Sequence, residues 1–486
     1  MVETGPAPIA GILSQMSVHR PLGATPQTGA LEFSTSTFDV RAVAPGRGLA
    51  LIGLAGMVAT GLLIAVATAG TDALLPETLR PVPTWLAGPF GSTSLNLLSG
   101  GVIAVMALMF ACYVIAVRAA DRVSPRTVLM TIAALHALVL LAPPLISTDV
   151  FSYQAYGRMG ALMGISPYLQ GPHAIAFDSV FPYVGAKWSY IPTAYGPVFT
   201  ALSYVLAPLS IAAGVLAYKA LAALASLVTV ALVWNAARLR GVDPAKAGAL
   251  VGLNPLIVIY GVGGGHNDLL MLAVMMTGIY LLLAHRSLVR HRERAGGVLL
   301  AIAAAIKLTG GLLLPFAVAG GAGPRAGNRR RDLVVGAGVA TAALAVLSLS
   351  MFGTGELNMF RTLKKAQDMG DWRSIPAFVT SRLGLNDGSI GHVGGLLLGV
   401  CFVTIFCWLL RRSWRAEIDW IAAAGWAAMA MLITATSLLP WYVAWLMPLA
   451  ALGGDRRLWR YSVVFTGVVL FIQLLGYIHN ASSVGL

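Results

Sequence analysis

The sequence predicts an all-α polytopic integral membrane protein, a bundle of about 13 transmembrane helices. The first observation behind this prediction is composition: of 486 residues, 57% are hydrophobic and 11% are charged. A soluble domain is about half apolar and about a quarter charged, so a soluble globular enzyme and a disordered chain are both excluded. Cys112, Cys401 and Cys407 all lie in apolar runs and predict no disulfide framework.

The second observation is the length of the apolar runs, because a helix needs about 20 residues to cross a bilayer. Ten apolar runs are of near-spanning length, and two further, shorter runs lie at 297–321 and 440–452. The run 297–321 is broken at Lys307 and is either one bent span or two short ones; counted as two, it brings the total to about 13. The runs of near-spanning length lie at about 48–70, 98–117, 127–146, 211–237, 245–262, 267–284, 333–352, 392–410, 419–438 and 459–477.

The third observation is the distribution of Lys and Arg. With about 13 spans, six basic clusters fall on the same side of the membrane as the N-terminus, which the Lys/Arg bias of inner loops assigns to the cytoplasm. We therefore read the net charge of +14 as this bias, and expect no nucleic-acid partner. The clusters lie at 118–126, 238–246, 286–294, 325–331, 411–415 and 456–460.

These spans divide the chain into a tail and one membrane domain. Residues 1–47 are rich in Ser, Thr, Pro and Gly, which predicts a mostly disordered cytoplasmic tail without a cleavable signal peptide. Residues 48–486 are predicted to form a single transmembrane domain in the plasma (inner) membrane. Its outer loops are expected at 71–97, 147–210 and 353–391.

The outer loop 147–210 is rich in Tyr, Pro and Gly and has few charges. Residues 149–163 and 197–208 have helical periodicity but are too short or too polar to span, which predicts interfacial helices along the outer leaflet. A large aromatic outer loop suggests chemistry at the membrane surface on a substrate with a lipid end. We therefore expect the domain 48–486 to be catalytic, with an extracytoplasmic active site.

An ordered set of short motifs runs through residues 147–450. It resembles the polyprenyl-phosphate-mannose-dependent α-1,6-mannosyltransferases of actinobacteria, which have the membrane glycosyltransferase C fold. No single string is diagnostic, but their order is. The strings are Ser-Thr-Asp-Val-Phe-Ser-Tyr at 147–153, Gly-Arg at 157–158, Ser-Pro-Tyr at 166–168, Gly-Pro at 171–172, Tyr-Gly-Pro at 195–197, Asn-Pro-Leu at 254–256, Gly-His-Asn-Asp at 265–268, Lys-Leu at 307–308 with Pro315, and Pro-Trp-Tyr at 440–442.

The resemblance implies a glycosyltransferase that moves mannose from polyprenyl-phosphate-mannose to a lipid-anchored α-1,6-mannan, a lipomannan or lipoarabinomannan-type glycolipid. Transfer would be an inverting single displacement on the outer face. One alternative is another polyprenyl-phosphate-sugar-dependent enzyme, such as an arabinosyltransferase. The other is a lipid or glycan transporter, which would place ionisable residues near the bilayer midplane. Here the titratable residues gather at the outer ends of the spans.

Asp149 is the candidate general base, because a carboxylate at membrane depth in an apolar context is costly and tends to be functional. From the residues alone, capping of the following helix together with Ser147 and Thr148 is an equal reading. The resemblance favours catalysis, since the family has an essential acidic residue at this point of its first large outer loop. A paired-acid motif is absent, so we expect no required cofactor, although a divalent metal stays compatible with the sequence.

The Gly-rich turn 263–268 brings His266, Asn267 and Asp268 to the same surface. His266 and Asp268 are candidate catalytic residues, His266 as the base or as a hydrogen-bond donor to sugar or phosphate. The alternative is a glycine turn with an Asn or Asp cap on the next helix. Asn267 is also a candidate sugar contact.

Candidate contacts to the donor phosphate are Lys307, Arg158, Arg361 and Arg373, since cationic groups bind phosphate oxygens. For Lys307 the alternative is snorkelling to the interface, and the resemblance favours phosphate contact because the family has a lysine at this break. Arg361 and Arg373 belong to a basic cluster with Lys364 and Lys365 in the predicted outer loop 353–391. The alternative for this cluster is a solvated loop, but Trp372 suggests that Arg373 lies at the membrane interface.

Aromatic side chains suit both sugar rings and the interfacial belt of a membrane protein. For Trp441 and Tyr442 the alternative is the interfacial belt, and the family match raises the sugar-contact role; for the aromatics of the loop 147–210 the alternative is packing. The candidate sugar or acceptor contacts are Tyr153, Tyr168, Trp188, Tyr195, Trp441 and Tyr442.

Overall fold

A computed structural model describes residues 46–92, 95–284, 291–320, 326–368, 373–383 and 388–483. These residues form helices, turns and coil without a strand, which confirms the all-α prediction. Almost all of the predicted tail 1–47 lies outside the described residues, as does Trp372. The first helix begins at Arg47, one residue before the predicted first span.

The described residues form α-helices that we number α1 to α17. The first eight are α1 Arg47–Ala67, α2 Ser99–Ala119, α3 Pro125–Leu141, α4 Asp149–Met163, α5 Pro197–Leu206, α6 Ile211–Leu239, α7 Pro244–Gly252 and α8 Asp268–Leu283. The others are α9 Arg292–Ile306, α10 Leu313–Ala319, α11 Ala326–Phe352, α12 Met359–Asp368, α13 Ile375–Arg382, α14 Gly388–Trp414, α15 Trp420–Thr434, α16 Met447–Leu452 and α17 Arg456–Ser483.

Six helical segments in the described part of the chain are long and apolar enough to cross a membrane, or seven if one bent pair counts as a span. That pair is Pro244–Gly252 with Leu256–Val262, bent by 46°. A membrane protein is thereby supported, while the total of about 13 spans stays a prediction. The six are Arg47–Gly70, Ser99–Arg122, Ile211–Leu239, Gly327–Ala366, Val393–Trp414 and Arg456–Gly476.

The remaining apolar runs form shorter helices than the sequence predicted. The runs 127–146, 267–284 and 419–438 become α3, α8 and α15, with 17, 16 and 15 residues. Helix α3 stops before Pro143 and Pro144 because proline has no backbone N–H to continue the ladder. Apolar length along the chain therefore overstated the length of straight helix.

The predicted break at Lys307 is confirmed. Helix α9 ends at Ile306, Lys307 is extended with φ −150° and ψ 128°, and a 3₁₀ helix follows at Leu308–Leu312. The segment 147–210, predicted to be an outer loop, contacts this break directly, because the Gly196 N–H donates to the Ile306 carbonyl at 3.2 Å. A Cβ on Gly196 would lie 2.1 Å from the Ala305 carbonyl oxygen, so only glycine permits this approach.

Helix α4 coincides with a predicted interfacial helix but is buried in the protein. Residues 150–157 are all buried, and the helix packs on α5 and α6. The Tyr153 ring makes contacts with Tyr195, Phe199 and Tyr218 at centroid distances of 5.0, 4.8 and 5.4 Å. Aromatic packing of this kind fixes the helix whose first residue is Asp149.

Candidate active site

A cavity of about 900 Å³ lies at the start of α4, the break at Lys307 and the 3₁₀ helix Pro440–Trp445. Its volume is in the range of ligand pockets. The cavity brings together predicted residues from all three regions, although they are distant in the chain. The predicted site residues that line it are Asp149, Lys307, Arg373, Trp188, Tyr195, Trp441 and Tyr442.

Asp149 directs its carboxylate to the cavity and to His266 rather than to the backbone of α4. The backbone N–H of Asp149 donates to Ser147 Oγ at 3.2 Å, and the N-cap residue Thr148 makes no side-chain capping hydrogen bond. Asp149 Oδ2 lies 3.2 Å from His266 Nδ1 and accepts a hydrogen bond of 3.4 Å from the Tyr153 hydroxyl. The Asp149 side chain is 18% exposed, which leaves it accessible from the cavity.

The protonation of Asp149 reflects opposing effects. Burial raises the pKa of its carboxyl group, but hydrogen bonding and charge from His266, together with Lys307 and Ser147, lower it, and the net result is a pKa below the usual value. The carboxylate is therefore charged at neutral pH and able to accept a proton.

His266 lies behind the cavity wall. Its side chain is buried, and its ring stacks on Trp441 with centroids 3.5 Å apart and planes at 16°. The turn that carries it contains Gly265 at φ +68°, a left-handed conformation that favours glycine. His266 does not line the cavity, so its contact with Asp149 favours orientation of the carboxylate over contact with a ligand.

Lys307 forms the second charged contact of the cavity. Its Nζ lies 2.7 and 2.8 Å from the two oxygens of Asp268, which also accepts a 2.8 Å hydrogen bond from Trp445 Nε1. Asp268 is 1% exposed and does not line the cavity. This geometry favours a role in holding Lys307 over the predicted catalytic role.

The ammonium group of Lys307 also lies beside two stacked aromatic rings. Tyr442 and Trp445 stack at 4.1 Å between centroids, and Lys307 Nζ lies 4.8 and 5.4 Å from the two rings. Cation–π attraction and the ion pair to Asp268 together fix the lysine. Its position is thus set by the fold and is not that of a freely snorkelling side chain.

The structure places Arg158 and Arg361 outside the cavity lining. Arg158 Nε donates to both carboxylate oxygens of Asp178 at 3.0 Å each, which ties α4 to a later part of the segment 147–210. Arg361 is exposed on α12, whereas Thr362 and Leu363 of that helix line the cavity. The helical periodicity of α4 in the sequence did not predict that Arg158 would form an ion pair with Asp178.

Three further predicted sugar contacts are also buried away from the lining. Tyr153 and Tyr168 are 1% and 0% exposed. The Tyr168 hydroxyl pairs with Thr200 Oγ1 at 3.0 Å and donates to the Tyr195 carbonyl at 3.1 Å. Asn267, at the N-cap of α8, is 3% exposed. These residues pack the loop instead of facing the cavity.

Within the described ranges, no group of three or more His, Cys, Asp or Glu side chains is arranged to hold a metal ion. The sequence-based expectation that no cofactor is required stays a prediction.

Two residues at or beneath the site were missed in the sequence. Trp445 lies four residues after Trp441 in the same 3₁₀ helix and also lines the cavity, so a second tryptophan just after the Pro-Trp-Tyr motif was the available signal. Lys219 is a lone lysine within the apolar run 211–237, and an intramembrane charge is itself a signal of function.

Two comparisons with protein families cover most of the chain. Residues 50–322 match a family described as "Alpha-(1->6)-mannopyranosyltransferase, N-terminal domain". Residues 374–475 match the MptB C-terminal domain.

Individual relatives come from mycobacteria and corynebacteria. An alpha-(1->6)-mannopyranosyltransferase of Mycobacterium tuberculosis is 28% identical over 64% of this chain and 63% of its own length. Alpha-(1->6)-mannopyranosyltransferase A of the same organism is 30% identical over 65% of this chain and 64% of its own length. Alpha-(1->6)-mannopyranosyltransferase B of Corynebacterium glutamicum is 25% identical over 89% of this chain and 78% of its own length. The chain thus spans just under two thirds of the length of the two mycobacterial relatives.

Proposed function

Because the chain belongs to the α-(1→6)-mannopyranosyltransferase family, as its motifs predicted, we propose that it transfers mannose from polyprenyl-phosphate-mannose to a lipid-anchored α-1,6-mannan. The acceptor class is a lipomannan or lipoarabinomannan-type glycolipid. The observation that carries the proposal is the pairing of charges in one cavity. A carboxylate, Asp149, and a cation, Lys307, line it, and each is held from behind by a buried partner.

In the proposed reaction, Asp149 removes the proton from the acceptor hydroxyl as its oxygen attacks the anomeric carbon of the donor. The bond between that carbon and the phosphate oxygen breaks, and its electron pair leaves with the phosphate. One displacement converts a β-linked donor into an α-linked product. A charged carboxylate is the required form of the base, and the lowered pKa of Asp149 provides it.

Lys307 and Arg373 are proposed to hold the leaving phosphate. Both line the same cavity as Asp149, and charge-assisted hydrogen bonds from cations stabilise phosphate oxygens. Phosphate is a good leaving group, so the mechanism calls for no strong acid from the protein. Trp188, Tyr195, Trp441 and Tyr442 line the cavity with aromatic surface suited to a sugar ring.

The finer architecture belongs to the same proposal. It comprises the glycosyltransferase C fold, about 13 spans, a cytoplasmic N-terminus, and an active site on the outer face of the plasma membrane. The six long apolar helices and the family membership support the membrane location.

A direct test reconstitutes the protein in lipid nanodiscs with radiolabelled polyprenyl-phosphate-mannose and a lipid-anchored α-1,6-mannoside, with products separated by thin-layer chromatography. A second assay replaces the donor with polyprenyl-phosphate-arabinose. A third uses sealed vesicles and measures only translocation of the labelled lipid across the membrane. Mannose transfer supports the proposal. Arabinose transfer alone, or translocation without transfer, would contradict it.

The matched variants are Asp149→Asn and Asp243→Asn. Asp149 is the first residue of α4, and Asp243 is the N-cap of α7. The Asp243 carboxylate accepts a 2.8 Å hydrogen bond from the Lys246 N–H, and Asp243 does not line the cavity. Asp149→Asn is expected to lose about 10²–10⁴ in rate, and Asp243→Asn to behave as wild type because asparagine caps as well. An active Asp149→Asn with an inactive His266→Ala would move the base to His266. Activity in both would place the site elsewhere.

A further inference from the structure

A buried lysine lies beneath the site without any assigned role. Lys219 is 1% exposed and belongs to α6, one of the helices long and apolar enough to span a membrane. It is eight residues after Ile211, or about 12 Å along the helix axis. An intramembrane charge is costly and tends to be retained for function.

The contacts of Lys219 show what it holds. Its Nζ donates to the carbonyl oxygens of Ala142 and Pro143, the second at 3.1 Å. Ala142 is the extended C-cap of α3 and Pro143 follows it, so both carbonyls lie just beyond the last turn of the helix. Because Pro143 and Pro144 have no N–H, the chain that follows cannot close a hydrogen-bonded cap there. Lys219 instead donates to the two carbonyls that follow the helix.

The segment that Lys219 holds leads directly to Asp149. Within it, Ile146 has φ +65°, a costly conformation for a β-branched residue that persists only where surrounding contacts enforce it. The Leu145 N–H donates to the Gly263 carbonyl and the Ile146 N–H to the Leu74 carbonyl, each at 3.0 Å.

Lys219 also touches the turn that carries His266. A Cβ on Gly265 would lie 3.4 Å from Lys219 Cγ and 3.5 Å from its backbone nitrogen. The lysine stem therefore packs against the turn 263–268 while its ammonium group holds the end of α3. One side chain thus contacts both segments that bring Asp149 and His266 within 3.2 Å of each other.

We propose that Lys219 is a positioning residue that locks the strained segment 142–149 against the turn 263–268 and so holds Asp149 in its reactive place. The predicted effect of Lys219 on catalysis rests on the proposed function. The predicted effect of Lys219 on the structure of the two segments does not. Lys219 does not itself line the cavity and acts through the two segments.

The test compares Lys219→Met with Lys246→Met in nanodiscs. Methionine keeps an unbranched stem and removes the charge, and Lys246 is a control because its ion pair with Asp121 at 2.8 Å lies outside the cavity lining. Hydrogen exchange of peptides covering 142–151 and 261–268 is measured, with peptides from α11 as an internal reference. In Lys219→Met, exchange of the Leu145 and Ile146 amides is expected to be about tenfold faster or more, with α11 unchanged.

Kinetics on the same samples give the second readout. Per folded protein, kcat of Lys219→Met is expected to fall about ten- to a hundredfold with little change in donor KM, because a displaced base loses rate and not binding. Lys219→Arg, which retains the charge, should recover part of both signals and serves if Lys219→Met does not fold.

Three outcomes would overturn the inference: unchanged exchange at 142–151, exchange accelerated equally in α11, or local acceleration with wild-type kcat. A wild-type protein without mannose transfer would instead refute the proposed function. The exchange comparison needs no substrate and would still decide whether Lys219 holds the two segments.

Discussion

His266 lies face to face with Trp441, with ring centroids 3.5 Å apart and ring planes 16° from parallel. Trp441 lines the cavity and His266 does not, so the tryptophan is the surface that a ligand meets. The stack fixes the plane of the imidazole, whose Nδ1 lies 3.2 Å from Asp149 Oδ2. The aromatic wall and the orientation of the base are therefore coupled.

A first prediction concerns pH. His266→Phe retains a ring against Trp441 and removes the imidazole. Apart from burial, the imidazole has the largest effect on the Asp149 pKa. Burial raises that pKa and His266 lowers it, so the Asp149 pKa is expected to rise in the variant. A base fails as pH falls through its folded pKa, which in wild type lies below the usual value for an aspartate. The acid limb of kcat/KM should therefore shift to higher pH in the variant.

The control for this change is His173→Phe, at an exposed histidine that stacks on Tyr190 at 4.3 Å. Profiles recorded from about pH 4 to 8 should match wild type for His173→Phe alone. An acid limb that stays in place in His266→Phe would show that the imidazole does not tune Asp149.

A second prediction concerns the donor phosphate. Lys307→Ala and Arg373→Ala are each expected to raise donor KM, since a hydrogen bond to a charged group contributes about 1.5–3 kcal/mol, or roughly ten- to a hundredfold. The acceptor KM should change less. Lys364→Ala removes an exposed cation of α12 that does not line the cavity and should leave both constants unchanged. Wild-type donor kinetics in both cavity variants would reduce these residues to interfacial anchors.

A third prediction concerns the buried ion pair. Lys307→Ala leaves Asp268 charged and 1% exposed without its cation, and breaking a buried pair in this way costs about 3–5 kcal/mol of stability. The double variant Asp268→Asn/Lys307→Ala removes both charges and should recover most of that loss, because asparagine still accepts from Trp445. Thermal unfolding in detergent measures the four proteins of this cycle. Additive losses would show that the two side chains are energetically independent.

Asp268→Asn alone is expected to act on the donor through Lys307, with a smaller loss of rate than Asp149→Asn. In a background that already lacks Lys307, it should have little further kinetic effect. A loss of kcat as large as that of Asp149→Asn would return Asp268 to a direct catalytic role.

A fourth prediction concerns topology. In a variant lacking Cys112, Cys401 and Cys407, a cysteine at Gln170 should react with an impermeant maleimide in intact cells, because residue 170 is exposed in the outer loop. One at Arg415, whose side chain is 56% exposed, should react only after permeabilisation. The reverse labelling pattern would invert the proposed orientation.

The sequence by itself determined the features that depend on neighbours in the chain. Apolar composition gave an all-helical membrane protein, helical periodicity predicted α4 from residue 149, and the Lys-Leu-Thr-Gly-Gly string predicted the break at Lys307. These follow from local hydrophobicity, backbone freedom and helix capping. The order of the short motifs was enough to identify the family.

Tertiary structure decided which of the predicted residues meet and which side of the cavity wall each occupies. Asp149 and Lys307 line the cavity, whereas His266 and Asp268, predicted as catalytic partners, stand behind them. Trp445 and Asp268 are hydrogen-bonded across 177 residues of chain. Sequence spacing carries no information about such contacts, because they are set by how helices bend and pack. For the same reason, the buried charge of Lys219 was visible in the sequence, but the carbonyls that it holds were not.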